Sequence, residues 1–267
     1  MRRAVNFLVG INMLFIALLL VASVTSGVLS QVVYYTAFVI PVLPYILFIK
    51  NGAQCERLAP LPSARSLALS LTFAATLALV CLLLSGATAY LFGLVTGGVG
   101  EALSGGVFGL ILLHALLPAL LEELIFRYIP LSLLAPYSKR WAVLLSALFF
   151  SFAHCDLLKL PHTLVAGLVL GAVAIASESI LPSVILHFFV NMTSVLWQSE
   201  SVGEALRLPI FITLGILSLA SAVIFTVFRH RFLEWLSLSC KERVGLPLSV
   251  LILAAVALFV GIIRLVF

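Results

Sequence analysis

Long apolar runs without a single charge alternate with short charged clusters along the whole chain. Residues 4–49 contain no Asp, Glu, Lys or Arg, and neither do 66–100, 102–121, 141–155, 160–177, 179–199, 208–228 and 244–263. A helix crossing the hydrocarbon of a bilayer needs roughly 20 mostly apolar residues. The first run is long enough for two crossings, with Pro41 and Pro44 near its end. The pattern predicts an all-α protein, a polytopic transmembrane helical bundle of about eight or nine spans. We place these at about 5–27, 31–49, 66–92, 106–134, 141–156, 161–177, 180–198, 208–228 and 246–265. Gly97, Gly98 and Gly100 mark the turn before the fourth span, Ala135-Pro136-Tyr137 ends it, and Pro161 opens the sixth. The chain divides into N-terminal spans (1–105), a central block (106–198) and C-terminal spans (199–267).

Composition agrees with the pattern. Of 267 residues, 63% are hydrophobic and 9% charged, where a soluble domain carries about 25% charged residues. The net charge of +5 is spread in a telling way. Arg2 and Arg3 precede the first span; Lys50, Arg57 and Arg65 lie between the second and third; Lys139 and Arg140 follow the fourth; Arg229, Arg231, Lys241 and Arg243 precede the last. These alternate loops are expected to be cytoplasmic, together with the N-terminus. Lys159, Arg207 and Arg264 lie near outside ends, and Arg127 is within a span. The bilayer accounts for this charge, and nucleic acid is excluded as a partner. The first 23 residues resemble a signal peptide, but the apolar part is longer than such a segment needs and further spans follow, so a retained span is expected. Cys55, Cys81, Cys155 and Cys240 form no C-x-x-C, so neither a disulfide framework nor a thiolate zinc site is implied.

Against this apolar background a few polar residues stand out. Glu122 and Glu123 are adjacent in PALLEELIFRYIP, with Arg127 four residues after Glu123; His154, His187 and Asn191 follow in later spans. Ionisable groups inside a membrane are costly and mark function. Counted along their helices at 1.5 Å per residue, Glu122, His154, His187 and Asn191 all fall about 10–20 Å from the cytoplasmic face. Three spans thus contribute to one depth band, as a single intramembrane site open to the cytoplasm requires.

Spacing suggests roles. His187 and Asn191 are four apart and share a helix face, so they can address one ligand atom. Phe150 and His154 have the same spacing, which lets the ring wall the imidazole from lipid. Glu123 and Arg127 can pair, in the favourable acid-first order. On an α-helix Glu122 points about 100° away from Glu123, which leaves it free to face a cavity as a base. Pro118 gives no N–H to the carbonyl of His114, so a kink is expected just below the site. His114, His162 and Glu178 fall outside these patterns and read as structural, interfacial or solvated.

The series E-E-x-x-x-R (Glu122, Glu123, Arg127), F-x-x-x-H (Phe150, His154) and H-x-x-x-N (His187, Asn191) resembles the motifs of the CAAX-protease and bacteriocin-processing family of intramembrane proteases. That family includes the type II CAAX prenyl endopeptidases and the Abi-type bacterial immunity proteins. The likeness covers about residues 106–198, and Tyr128 stands where family members often have glycine. The resemblance implies that the central block is an intramembrane protease core. Glu122 and His154 would activate a water, and His187 and Asn191 would hold the oxyanion; such donors are worth about 3–4 kcal/mol each. Glu123, Arg127 and Phe150 would support them. The implied partner is a membrane-associated peptide or lipidated protein, with a prenylated CAAX tail and a bacteriocin leader as options.

Glu122, His154 and His187 could instead form a His₂Glu zinc site. There is no H-E-x-x-H, and Asn191 beside His187 suits an oxyanion better than a ligand set, so no cofactor is expected to be required. Two other classes of function compete with the enzyme. A proton-coupled transporter also uses buried Glu, His and Arg, but the paired, interrupted segments of inverted repeats are missing. A scaffold that binds membrane peptides without cutting them, as an immunity factor does, would not need the motifs intact.

Overall fold

In a computed structural model of the chain, residues 1–52, 55, 56, 58, 61–96, 106–199, 203–231 and 248–266 are described, and no β-strand occurs among them. Arg57, the turn with Gly97, Gly98 and Gly100, Cys240, Lys241 and Arg243 lie outside the described residues. The helices run α1 (Arg2–Val24), α2 (Gly27–Val39), α3 (Val42–Lys50), α4 (Ala64–Leu71) and α5 (Ala74–Thr96). A composite helix follows, made of α6 (Val107–Ile111), a π-turn (Leu112–Leu116), α7 (Leu117–Glu123), a second π-turn (Leu124–Tyr128) and α8 (Ile129–Leu134). Then come α9 (Lys139–Ala153), α10 (Leu160–Ser177), α11 (Leu181–Gln198), α12 (Gly203–Val227) and a last helix, Leu248–Val266.

The fold is an all-α polytopic bundle, and the chain is an integral multi-pass membrane protein. Six described stretches are long and apolar enough to cross a membrane: Arg2–Val24, Gly27–Lys50, Ala64–Gly93, Val107–Leu134, Leu160–Ser177 and Ala205–Val227. Eight or nine spans were expected from the runs. The difference lies in α9, α11 and the last helix. α9 has 15 residues and ends just before His154. α11 has 18 but spends apolar positions on His187, Asn191 and Gln198. The expected second span is also two helices, parted at Ile40–Pro41, where proline cannot continue the α2 ladder.

Lipid is as apolar as leucine, so helices in a membrane associate through close packing and shared hydrogen bonds. α9 and α10 show both. A Cβ on Gly167 would come within 2.9 Å of the Ala147 Cα and Cβ, and one on Gly171 within 3.4 Å of Val143. Gly167 and Gly171 are four apart, as are Val143 and Ala147, so two flat faces meet. At the far end of this pair, Ser151 Oγ donates to the Leu160 carbonyl at 3.1 Å and lies 3.0 Å from Thr163 Oγ1.

The composite helix is shaped by its two prolines. Each π-turn ends two residues before one, at Leu116 before Pro118 and at Tyr128 before Pro130. The Leu117 and Ile129 N–H groups reach back five residues, to Leu112 and Leu124. The first π-turn therefore lies where a kink is expected, just before Pro118. Pro130 also has no N–H for the Phe126 carbonyl, four residues back, and the buried Ser146 hydroxyl on α9 donates to that oxygen instead.

Candidate active site

Glu122 and Glu123 sit at the seam between α7 and the second π-turn, facing α11. One imidazole lies between them. His187 Nδ1 is 2.8 Å from Glu123 Oε1, and its Nε2 is 3.5 Å from Glu122 Oε2. An ionised carboxylate only accepts hydrogen bonds, so Nδ1 carries the proton in that short contact and Nε2 is the nitrogen turned toward Glu122. Glu123 is fully buried, whereas the Glu122 side chain retains 14% exposure. Glu122 is thus the more open of the two carboxylates.

Glu123 has a second partner. Arg127 Nε lies 3.6 Å from Glu123 Oε2, and both side chains are completely buried. That distance is an ion pair rather than a hydrogen bond. Among the described residues none of the Arg127 nitrogens has a hydrogen-bond partner. The guanidinium carbon instead sits 4.3 Å over the Phe150 ring, a cation–π contact strengthened by exclusion of water. The arginine thus balances Glu123 through charge and rests on Phe150 through its face.

Phe150 is the hub of the site. Its ring meets His154 edge-on at 4.8 Å between centroids, His187 edge-on at 5.5 Å and Phe126 at 5.6 Å. His154, the residue capping α9, holds its Nδ1 2.9 Å from the Phe150 carbonyl. A carbonyl cannot donate, so Nδ1 carries the proton and Nε2 has the lone pair. Each histidine is therefore anchored at Nδ1 and presents Nε2. Asn191 stands one turn beyond His187, half-buried, on the same face of α11.

The structure brings Glu122, Glu123, Arg127 and His187 into direct contact, and gathers His154 through the shared Phe150 ring. His114 makes no contact with this group among the described interactions, and Glu178 is exposed at the turn after α10 with a left-handed backbone. Three further residues escape the motif reading. Ser183 is fully buried, four residues before His187 on the same face, and its hydroxyl lies beside Glu123 while also 2.8 Å from the Ile180 carbonyl. Its spacing from His187 was the available signal. Tyr34 on α2 and Lys159 after α9 both lie within electrostatic reach of Glu122, and nothing in their local sequence marks them.

The residues do not fit a zinc site in this arrangement. Among the described residues no three His, Cys, Asp or Glu side chains are placed to hold one metal ion. Glu122 and His187 approach each other, but His154 does not complete the set with them.

Searches among curated proteins and among solved structures find no match to the chain. Residues 104–193 match the family described as Rce1-like, type II CAAX prenyl endopeptidase. The matched stretch starts just before α6 and ends within α11, so it contains the whole constellation. It is this central block of the chain that is similar to the family.

Proposed function

We propose that the protein is an intramembrane endopeptidase that hydrolyses a peptide bond in a membrane-associated peptide, with a CAAX-type prenylated tail as the leading substrate class. The observation that carries this reading is the His187 imidazole held between Glu122 and Glu123, with Asn191 one turn further on.

The chemistry follows from which atoms are committed. A water sits between Glu122 and Nε2 of His154. His154 Nδ1 is engaged with the Phe150 carbonyl, so Nε2 accepts one water hydrogen and orients the oxygen. Glu122 removes the other proton as the oxygen attacks the scissile carbonyl carbon. The carbonyl electron pair moves onto oxygen, where Asn191 and His187 donate hydrogen bonds. Since Nδ1–H of His187 is given to Glu123, donation from Nε2 requires the ring to carry both protons. That form makes the group neutral overall: His187 and Arg127 balance Glu122 and Glu123, which a low dielectric favours. Glu122 then passes its proton to the amide nitrogen as the C–N bond breaks, and returns to the carboxylate.

The test uses the purified full chain in detergent with internally quenched peptides, one farnesylated with a CAAX-type end and one an unmodified membrane peptide. The wild type should cut at least one. Glu122→Gln should lower the rate by about 10²–10⁴-fold, the worth of a general base, with little change in melting temperature. Failure of the wild type to cut either, or near-normal cutting by Glu122→Gln, would falsify the reading.

A further inference from the structure

The last helix lies outside residues 104–193, yet it closes on the turn that follows His154. Val250, Leu253, Ala257 and Gly261 are buried along it, a spacing of three and four that keeps one face inward. Leu251, Ile252, Phe259 and Ile262 are exposed on its other sides. At its start, Ser249 Oγ donates to Asn6 Oδ1 on α1 at 2.7 Å, which ties the first turn to the bundle.

Gly261 is where this face meets the chain just past the site. A Cβ there would lie 3.2 Å from Leu157 Cγ, 3.4 Å from Leu157 Cδ2 and 3.6 Å from the carbonyl carbon of Cys155. Small residues let backbones approach this closely in a membrane. The turn so covered is not relaxed. The His154 N–H donates to the Ser151 carbonyl at 3.3 Å and the Cys155 N–H to the Phe152 carbonyl at 3.1 Å, so the end of α9 tightens to three-residue closures. Cys155 then takes a left-handed backbone, with φ of 47°, which a residue other than glycine keeps only where its surroundings hold it there. Its Sγ donates to the same Phe152 carbonyl at 3.3 Å. His154 stands one residue away, with Nδ1 on the Phe150 carbonyl. A displacement of the turn therefore carries the imidazole with it.

We propose that Gly261 is a positioning residue: by letting the last helix close on the Cys155–Leu157 turn, it fixes where His154 presents Nε2. This rests on the endopeptidase reading, in which His154 orients the attacking water. A side chain added at position 261 has two ways out. It pushes the last helix off the bundle, or it pushes Leu157. Val250, Leu253 and Ala257, buried on the same face, resist the first. The strain then falls on the turn, since close-packed interiors pass it from neighbour to neighbour. A misplacement of roughly 1 Å at a reacting group costs about 10²-fold in rate.

The experiment makes Gly261→Ala and Gly261→Leu in the full chain, each with and without Leu157→Ala. Gly10→Leu is the control, at an exposed helix position where a Cβ meets nothing within 4 Å. The quenched peptide that the wild type cuts gives kcat and KM per folded molecule. Ring signals of isotope-labelled histidine, with His154 assigned by His154→Gln, read the imidazole itself. The value of kcat should fall a few-fold for Gly261→Ala and about 10²-fold for Gly261→Leu, with KM within about two-fold. Adding Leu157→Ala should return most of the loss, as expected of two residues in contact. Gly10→Leu should cut as the wild type does. The His154 signal should move in the Gly261 variants and return in the double mutants, while that of His187, held by Glu123, stays. If Gly261→Leu does not fold, Gly261→Ala and its rescue decide. Gly261 variants that cut normally, that slow with the His154 signal in place, or that Leu157→Ala does not rescue overturn the inference while leaving proteolysis intact. So do shifts spread over all the histidines with a lowered melting temperature, the mark of packing alone. A wild type that cuts no peptide overturns the endopeptidase reading, and this role with it.

Discussion

Glu123 and His187 are 64 residues apart in the chain and share a fully buried hydrogen bond of 2.8 Å. The bond ties α7 to α11 and fixes which ring nitrogen of His187 faces Glu122. Glu123 consequently has two tasks, holding Arg127 in place and holding His187 in one orientation.

Glu123→Gln separates these tasks. An amide oxygen can still accept from Nδ1, but it brings no charge to Arg127 or to a doubly protonated His187. Stability should fall by about 3–5 kcal/mol, the penalty for an uncompensated buried charge. The rate per folded molecule should also fall, by up to about 10⁴-fold, as when a carboxylate behind a catalytic histidine becomes an amide. Arg127→Gln should share the loss of stability, and the double mutant should be milder than the sum of the two. Melting temperature in detergent and active-site-normalised cleavage rate measure both effects. A Glu123→Gln protein that melts lower but cuts at the normal rate would reduce Glu123 to an ion-pair partner.

Much of the site can be read from spacing, and the limits of that reading are physical. Glu123 with Arg127, and Phe150 with His154, are pairs four apart on one helix, and both meet in the structure. The contact of both glutamates with His187 could not be read that way. An α-helical wheel turns Glu122 about 100° from Glu123, but the helix changes to a π-turn at Leu124, and the partner imidazole comes from another span, wide enough to touch both carboxylates. Pro118 and Pro130 in one apolar run signalled irregularity, though not its form. Phe150 was legible as a shield for His154; its role as a seat for Arg127 depends on tertiary packing alone. The runs over α9 and α11 were legible as helices, but α9 has only 15 residues and α11 carries His187, Asn191 and Gln198, so neither stands among the long apolar stretches.

The Ser146–Phe126 bond gives a test of how the composite helix is held. Ser146→Ala strands a buried carbonyl, which costs about 1–3 kcal/mol. Pro130→Ala supplies an N–H four residues after Phe126. The pair Ser146→Ala with Pro130→Ala should therefore melt closer to wild type than Ser146→Ala alone. A double mutant at least as unstable as the sum would show that the hydroxyl is not replacing the missing backbone donor.

The basic clusters give an expected orientation that labelling can test. Lys50 ends α3, Lys139 and Arg140 open α9, and Arg229 and Arg231 follow α12. With excess positive charge retained on the cytoplasmic side, single cysteines introduced near residues 57 and 235, in a background without native cysteines, should react with a membrane-impermeant maleimide only in inverted vesicles. Reaction of either in intact cells would reverse the orientation.

Metal content tests the chemistry most directly. A catalytic zinc site takes three protein ligands and leaves one position for water. Here His187 Nε2 approaches Glu122, His154 meets the Phe150 ring, and no group of three His, Cys, Asp or Glu side chains is placed to hold one ion among the described residues. Asn191 is a poor zinc ligand and a good donor to a carbonyl oxygen. Protein purified without added metal should therefore hold well under one zinc per chain by mass spectrometry of the digested sample. Its cleavage rate should stay within about two-fold after prolonged treatment with a strong chelator, where loss of a catalytic Lewis acid would forfeit several kcal/mol of barrier lowering. One zinc per chain, with activity lost on its removal and regained on its return, would mean that the three spans close further than they do here and that Glu122 is a ligand rather than the base.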